Sequence, residues 1–181
     1  LEVDFKVENN FDNLKFSDKI ILPGVGAFKD AMEQLGNYKF IETIRTLALQ
    51  GKPILGICLG MQILASKSYE YGETTGFNFI EGEVKALPKD SFLNVPNIGW
   101  RKLIITNKNK PKNLKLNGMM YFVHSYAFYP KNESQVVAKI KYGNHDIPAI
   151  VMNKNILGCQ FHPEKSGSNG FILLKWFCKY F

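Results

Sequence analysis

The chain has 181 residues, 45% hydrophobic and 22% charged, with a formal net charge of +7. That length supports one well-buried core and is short for two ordinary domains, so a single domain over 1–181 is expected. Its apolar runs are of strand length and are broken by glycine, proline or charge, a pattern that gives no membrane-spanning or secretory segment.

In chain order, Val3 to Val7 alternates at period two and reads as a strand, and Lys19 to Leu22 as a short buried strand ended by Pro23-Gly24. Ala27 to Leu35 and Phe40 to Gln50 have helical periodicity. The second places Phe40, Ile41, Ile44, Leu47 and Ala48 on one face and stops at Gly51. Pro53 to Ile57 is an apolar run of the kind buried on both faces of a sheet, and a helix is expected to start near Met61. From Glu83 to Ile140 the pattern changes to short alternating segments, among them Leu103 to Thr106, Met119 to Val123 and Val136 to Ile140, which predict antiparallel strands with turns at Pro88, Asn109 to Pro111 and Pro130. Ile156 to Phe161 reads as a further strand, and Gly170 to Phe181 as a core-facing helix capped by Ser168-Asn169. The sum is an α/β fold: three layers, a mostly parallel central sheet and a smaller antiparallel portion.

Much of the positive excess lies in Arg101-Lys102 through Lys108, Lys110, Lys112 and Lys115. This stretch lacks aromatic interleaving and any arginine cluster, so it is read as a solvated hairpin or a surface for an acidic or phosphorylated partner, and nucleic acid is not expected. The three cysteines, Cys58, Cys159 and Cys178, cannot all pair with one another and have no zinc-ligand spacing. A reducing, cytoplasmic setting without metal or organic cofactor is the expectation.

Chemistry concentrates in two stretches. In Gly56-Ile57-Cys58-Leu59-Gly60-Met61-Gln62 a cysteine stands on the turn from strand to helix, flanked at two residues either side by glycines that let a tight elbow form without Cβ clashes. Such a turn presents the sulfur at the carboxyl edge of the sheet. It aims the Leu59 amide at an oxyanion, and its helix N-terminus favours thiolate. Alone, the motif is equally a buried, inert cysteine. The second stretch is Gln160-Phe161-His162-Pro163-Glu164, where an extended backbone puts His162 and Glu164 on one face, the carboxylate orienting an imidazole free to take a proton from a thiol. Together they outline a Cys58-His162-Glu164 triad. The Pro23 to Phe28 loop, with Gly24 and Gly26 around Val25, reads alone as an ordinary glycine-rich turn. His124 is read as a satisfied histidine at a strand end and His145 as a surface residue.

These motifs, in this order, resemble the class I, or triad, glutamine amidotransferases. Within them Leu22 to Phe28, Tyr121 to Tyr126 and His162 to Gly167 are most similar to the glutaminase subunit of imidazole glycerol phosphate synthase. The resemblance implies glutamine hydrolysis through a Cys58 thioester, an oxyanion hole from Val25 or Gly26 with Leu59, and glutamine contacts from Gln62, Glu70 in preference to Glu73, Ser125 and Tyr126. It also implies a heterodimer in which ammonia passes to a (β/α)8-barrel cyclase, in histidine biosynthesis. Two departures stand against that pathway. Asn97-Ile98-Gly99-Trp100-Arg101 occupies the place of His-Met-Gly-Trp-Asn, a segment associated with the partner interface, and differs at both ends. A paralogue feeding an amidino-sugar pathway, a non-catalytic regulatory subunit and a related peptidase are the alternatives. Family members also open with a complete βα unit ahead of the segment resembling Leu1 to Val7, and that unit is expected to be missing here.

Overall fold

The computed structural model describes residues 3–8, 10–37, 39–89, 93–106, 111 and 113–181. In chain order the strands and helices are β1 (Ile20–Gly24), α1 (Phe28–Asn37), α2 (Phe40–Leu49), β2 (Ile54–Cys58), α3 (Leu59–Gln62), β3 (Lys67–Ser68), β4 (Thr74–Thr75), β5 (Gly82–Ala86), β6 (Asn97–Lys102), β7 (Ile104–Ile105), β8 (Met119–His124), β9 (Tyr126–Pro130), β10 (Val136–Tyr142), β11 (His145–Asn153), β12 (Ile156–Cys159) and α4 (Gly167–Tyr180).

A six-stranded sheet in the order β1-β2-β12-β11-β10-β7 forms the centre. Its first three strands are mutually parallel, and β11, β10 and β7 extend it by antiparallel pairing. A four-stranded sheet, β4-β3-β5-β9, and a two-stranded ribbon, β6-β8, flank it. Every residue of β2 is buried, because alternate side chains enter two different cores. Leu55 and Ile57 join Leu157, Cys159, Phe122 and the α4 residues Leu173, Trp176 and Phe177 on one face. Ile54 joins Ile156, Val151, Phe28 of α1 and Ile44 and Leu47 of α2 on the other. Helices therefore cover both faces, as parallel strands require.

Several expectations are corrected. Residues 3–7 form no strand; Phe5 is 87% and Val7 80% exposed, and no strand among the described residues takes their backbone bonds. Alternation becomes a strand only where a neighbour and a core face receive it. The helix after Cys58 stops at Gln62, because the carbonyls of Ile63, Leu64 and Ala65 turn to accept the N–H groups of Phe77, Phe79 and Asn78. The last helix starts at Gly167, ahead of the expected cap, with Ser166 at its N-cap. Of the basic stretch, 107–110 and 112 lie outside the described residues; Arg101 and Lys102 belong to β6, and Leu114 and Leu116 are buried.

Candidate active site

Cys58 ends β2 with φ 54° and ψ −110°, a backbone conformation that L-residues rarely adopt and that turns the chain sharply into α3. The two glycines make this turn sterically possible: a Cβ on Gly56 would strike the Gly60 carbonyl, and one on Gly60 would strike the Leu22 carbonyl. The elbow is thus wedged against the middle of β1. Opposite it, Gly24 is in register with Cys58, so the following Val25-Gly26 loop leaves β1 beside the sulfur. Gly26 holds φ +107°, which a side chain would resist. The far end of that loop is fixed by Glu70, whose carboxylate accepts the Phe28 N–H at 2.8 Å where α1 begins.

On the other side of β2, Cys159 of β12 lies in register with Ile57, and the chain continues past Gln160 and Phe161 to His162. His162 Nδ1 and Glu164 Oε1 are 2.7 Å apart, with His162 buried and the Glu164 side chain half exposed. An extended segment would place the two on one face. Only His162 is extended; a 3-10 turn over Pro163–Lys165 swings Glu164 back to the ring.

Strand β8 crosses the ends of both parallel strands and ties the two groups to one backbone. The Tyr121 carbonyl accepts the His162 N–H at 2.9 Å, and the Val123 carbonyl accepts the Cys58 S–H at 3.9 Å. These carbonyls are two residues apart on one strand, a span of roughly 7 Å, so the thiol and the backbone that carries the imidazole meet β8 at neighbouring positions. Ser166 secures the arrangement: its hydroxyl donates to the His162 carbonyl at 2.6 Å and accepts the Tyr121 N–H at 3.0 Å.

The sulfur is not a resting thiolate. Burial pushes the Cys58 thiol up to about 11, the Leu59 amide works in the opposite direction, the Glu164 charge pushes it further up and the Gln160 amide down. The expectation from a helix N-terminus fails because burial outweighs the Leu59 amide at the start of the four-residue α3.

A family model for class I glutamine amidotransferases matches residues 1–178. The chain belongs to that family. Among characterised amidotransferases, imidazole glycerol phosphate synthase subunit HisH 1 of Legionella pneumophila strain Lens is 42% identical over 176 residues, spanning 92% of this chain and 83% of the relative. Subunit HisH of the same synthase from Oceanobacillus iheyensis is 47% identical over 163 residues, 90% of this chain and 80% of that one. A crystal structure of a glutamine amidotransferase superposes with a TM-score of 0.73 at 20% identity, over 98% of this chain and 86% of that one, a likeness of fold.

The remaining candidate contacts of this amidotransferase have partners inside the protein. Gln62 is buried, and both N–H groups of its amide are spent, on the Tyr126 carbonyl at 3.0 Å and Gln160 Oε1 at 3.1 Å. Tyr126 offers that carbonyl also to His124, and the Ser125 carbonyl accepts from Leu87 N–H at 2.9 Å. Glu73 pairs with Lys67 at the surface. His145 is exposed at the start of β11.

Three polar residues that the sequence does not mark as part of the site are gathered here by the fold. Gln160 donates to the Cys58 sulfur at 3.8 Å, Asn97 bonds His124, and Arg101 bonds Asn97. A signal for the last two was present, since they are the two ends of one five-residue segment and depart from the family together.

Proposed function

We infer that this chain hydrolyses L-glutamine to L-glutamate and ammonia, supplying the ammonia to a synthase that makes imidazole glycerol phosphate in histidine biosynthesis. The observation that carries the chemistry is a cysteine on a strained elbow of β2, beside the parallel strand that leads into the 2.7 Å His162–Glu164 pair. The subunit assignment rests on the HisH relatives at 42% and 47% identity.

In the reaction, Cys58 gives its proton to His162 as its sulfur adds to the side-chain amide carbon of glutamine. The resulting oxyanion is held by the Leu59 amide and by an amide of the Val25-Gly26 loop. His162, now an imidazolium paired with Glu164, protonates the departing nitrogen, and ammonia leaves with formation of a thioester. Water then gives a proton to His162 and attacks the acyl carbon; collapse returns that proton to sulfur and frees glutamate. Because the thiol rests protonated at about 11, attack and proton transfer are coupled. Ionising it first at pH 7.5 would cost roughly 5 kcal/mol. Glu70, beside the oxyanion loop, pairs with the α-ammonium of glutamine, the Gln62 oxygen meets the same zwitterion, and Ser125 and Tyr126 line the site through their backbone.

We assign the whole of 1–181 to one glutaminase domain and the outward face of the β6-β8 ribbon to the partner, a (β/α)8-barrel cyclase. That face carries Ile98, Trp100 and Val123 at 55%, 48% and 36% exposure, and Trp100 packs edge-on against Tyr121. Three exposed apolar side chains on one side of a ribbon that also holds the nucleophile's carbonyl partner suit an interface through which ammonia passes.

The test is glutamate release from glutamine by the full chain, alone and with the cyclase copurified from the native cell. Turnover abolished by Cys58→Ala, with labelling of Cys58 by a glutamine-analogue electrophile, is the expected result. Neither glutamate release nor labelling in the presence of the partner would overturn the reading.

A further inference from the structure

A run of hydrogen bonds leads from strand β6 to the nucleophile, and the proposed reaction gives no part to four of its members, Arg101, Asn97, His124 and Gln160. Arg101 Nε–H donates to Asn97 Oδ1 at 3.0 Å, and Asn97 Nδ2–H donates to His124 Nε2 at 2.9 Å. His124 Nδ1–H donates to the Tyr126 carbonyl at 2.8 Å. Gln62 Nε2 donates to the same carbonyl at 3.0 Å and to Gln160 Oε1 at 3.1 Å, and Gln160 Nε2 donates to Cys58 Sγ at 3.8 Å. Gln160 and Asn97 are 0% and 1% exposed. A buried carboxamide stabilises nothing that an apolar side chain of similar volume would not, unless its direction matters.

Arg101 orients Asn97 and His124, and the acceptor-only carbonyl of Tyr126 orients Gln62 and Gln160. A guanidinium only donates, so Asn97 must turn its oxygen to Arg101 and its N–H2 to the imidazole. His124 Nε2 then carries the lone pair and Nδ1 the proton, which suits the carbonyl of Tyr126. That carbonyl also demands a donor from Gln62, whose second N–H takes the Gln160 oxygen. The one group left to face the sulfur is the Gln160 N–H2. Burial drives His124 down to about 4, with the Arg101 and His162 charges acting in the same direction, so its neutral tautomer persists through the working pH range. Asn97 is the direct cross-strand partner of His124.

We propose that Gln160 is a positioning residue for the Cys58 sulfur, with its amide aimed by Gln62 against the Tyr126 carbonyl, a carbonyl that the Asn97–Arg101 pair on β6 helps to hold in place through His124. The proposal deepens the reading of Cys58 as nucleophile and rests on it. An N–H held at the sulfur favours the negative charge that develops there as it attacks and restrains its rotation toward the Val123 carbonyl, where the resting thiol donates. Asn97 and Arg101, the two ends of that five-residue segment of β6, bond to each other, so the edge strand and the nucleophile are joined by one run of polar contacts.

The experiment is alkylation of Cys58 in the full chain by iodoacetamide, followed site by site by peptide mass spectrometry across pH, beside glutaminase kinetics with the partner present. Gln160→Met is expected to slow alkylation at pH 8 about tenfold, the loss of one hydrogen bond to a charged group, and to raise the pH midpoint. kcat is expected to fall alongside the alkylation rate while KM stays within about twofold of the parent, since the bond is made to the enzyme's own sulfur. Gln160→Glu, isosteric and still able to accept from Gln62, keeps the test open where the methionine variant fails to fold; its carboxylate faces the sulfur, and alkylation is expected to slow further. Arg101→Met is expected to shift the midpoint in the same direction by less. Folded Gln160 variants with the parental alkylation rate and midpoint would overturn the proposal, and a parental profile in Arg101→Met would overturn the link to β6. A parent that alkylates normally at Cys58 yet releases no glutamate with its partner would instead overturn the functional reading.

Discussion

Replacing Glu164 with glutamine separates two effects that the site sets against each other. In the parent, His162 Nδ1–H donates to Glu164 Oε1 at 2.7 Å, which leaves Nε2 as the base. Once that nitrogen takes the thiol proton, the pair becomes imidazolium and carboxylate. A hydrogen bond between charged groups is worth about 1.5–3 kcal/mol net. The Glu164 side chain is 53% exposed, so solvent screening places this pair near the lower bound. At about 1.4 kcal/mol per decade, the expected loss in kcat is roughly tenfold. Glutamine keeps an acceptor oxygen, so the tautomer survives and the change is one of charge. KM should hold, because Glu164 acts on the imidazole and touches no substrate in the proposed reaction. The same carboxylate raises the Cys58 thiol, whose value is about 11; removing its charge therefore moves the alkylation midpoint down. The variant should ionise more easily and turn over more slowly. Steady-state glutamate release and the pH dependence of iodoacetamide labelling read the two effects. A kcat within about twofold of the parent, or a midpoint that rises, would refute the assignment of Glu164 as the group that stabilises the imidazolium.

Gly60→Ala puts a methyl against the Leu22 carbonyl in the middle of β1, backbone against backbone with no side chain to yield; about 3 kcal/mol or more of stability should be lost, read as a fall in the urea midpoint, and an unchanged midpoint would mean the elbow is not wedged there. Ser166→Ala removes the hydroxyl that joins the Tyr121 N–H to the His162 carbonyl, so a loss of about 1–3 kcal/mol is expected. Its kcat should fall without a matching rise in KM, and restoration of both by Ser166→Thr would tie the effect to the hydroxyl. His124 gives the pH signature: the unfolded chain takes up a proton at the ordinary 6.5 that the folded chain refuses until about 4. Its contribution is complete above 6.5 and drains away as pH falls toward 4, by at most about 3 kcal/mol. Urea midpoints between pH 7.5 and 4.5 should fall more steeply for the parent than for His124→Gln, and parallel slopes would refute a buried neutral imidazole.

The parts of the fold that were legible in the sequence are those whose stability is local or whose burial is complete. Pro53 to Ile57 announces a strand covered on both faces, and β2 is covered on both faces because its alternate side chains enter cores built by α4 on one side and by α1 and α2 on the other. Val3 to Val7 carries an equally good alternation and forms nothing, since period two describes only what a strand offers and says nothing of what receives it. Strands β3 and β4, two residues each, have no pattern to read. They exist because the loop after α3 is drawn back over β5, by backbone bonds between residues that the sequence separates.

The site divides along the same line. Which groups could carry the chemistry was legible, because an elbow between two glycines and a histidine two residues before a glutamate are local patterns. How those groups are charged was not. The helix N-terminus argued for a thiolate from one local dipole, whereas the state of Cys58 is a sum over the packed cores around it, a half-exposed carboxylate and one distant carboxamide, and burial dominates that sum. A nucleophile held protonated in this way depends on its base at the moment of attack and is protected from stray electrophiles at rest. The groups that tilt the balance back toward ionisation, the Leu59 amide and the Gln160 carboxamide, are weak singly, and the second is set by bonds that end on the ribbon assigned to the partner. The bonds from Arg101 to Gln160 are therefore the place to look for any effect of the β6-β8 ribbon on the sulfur.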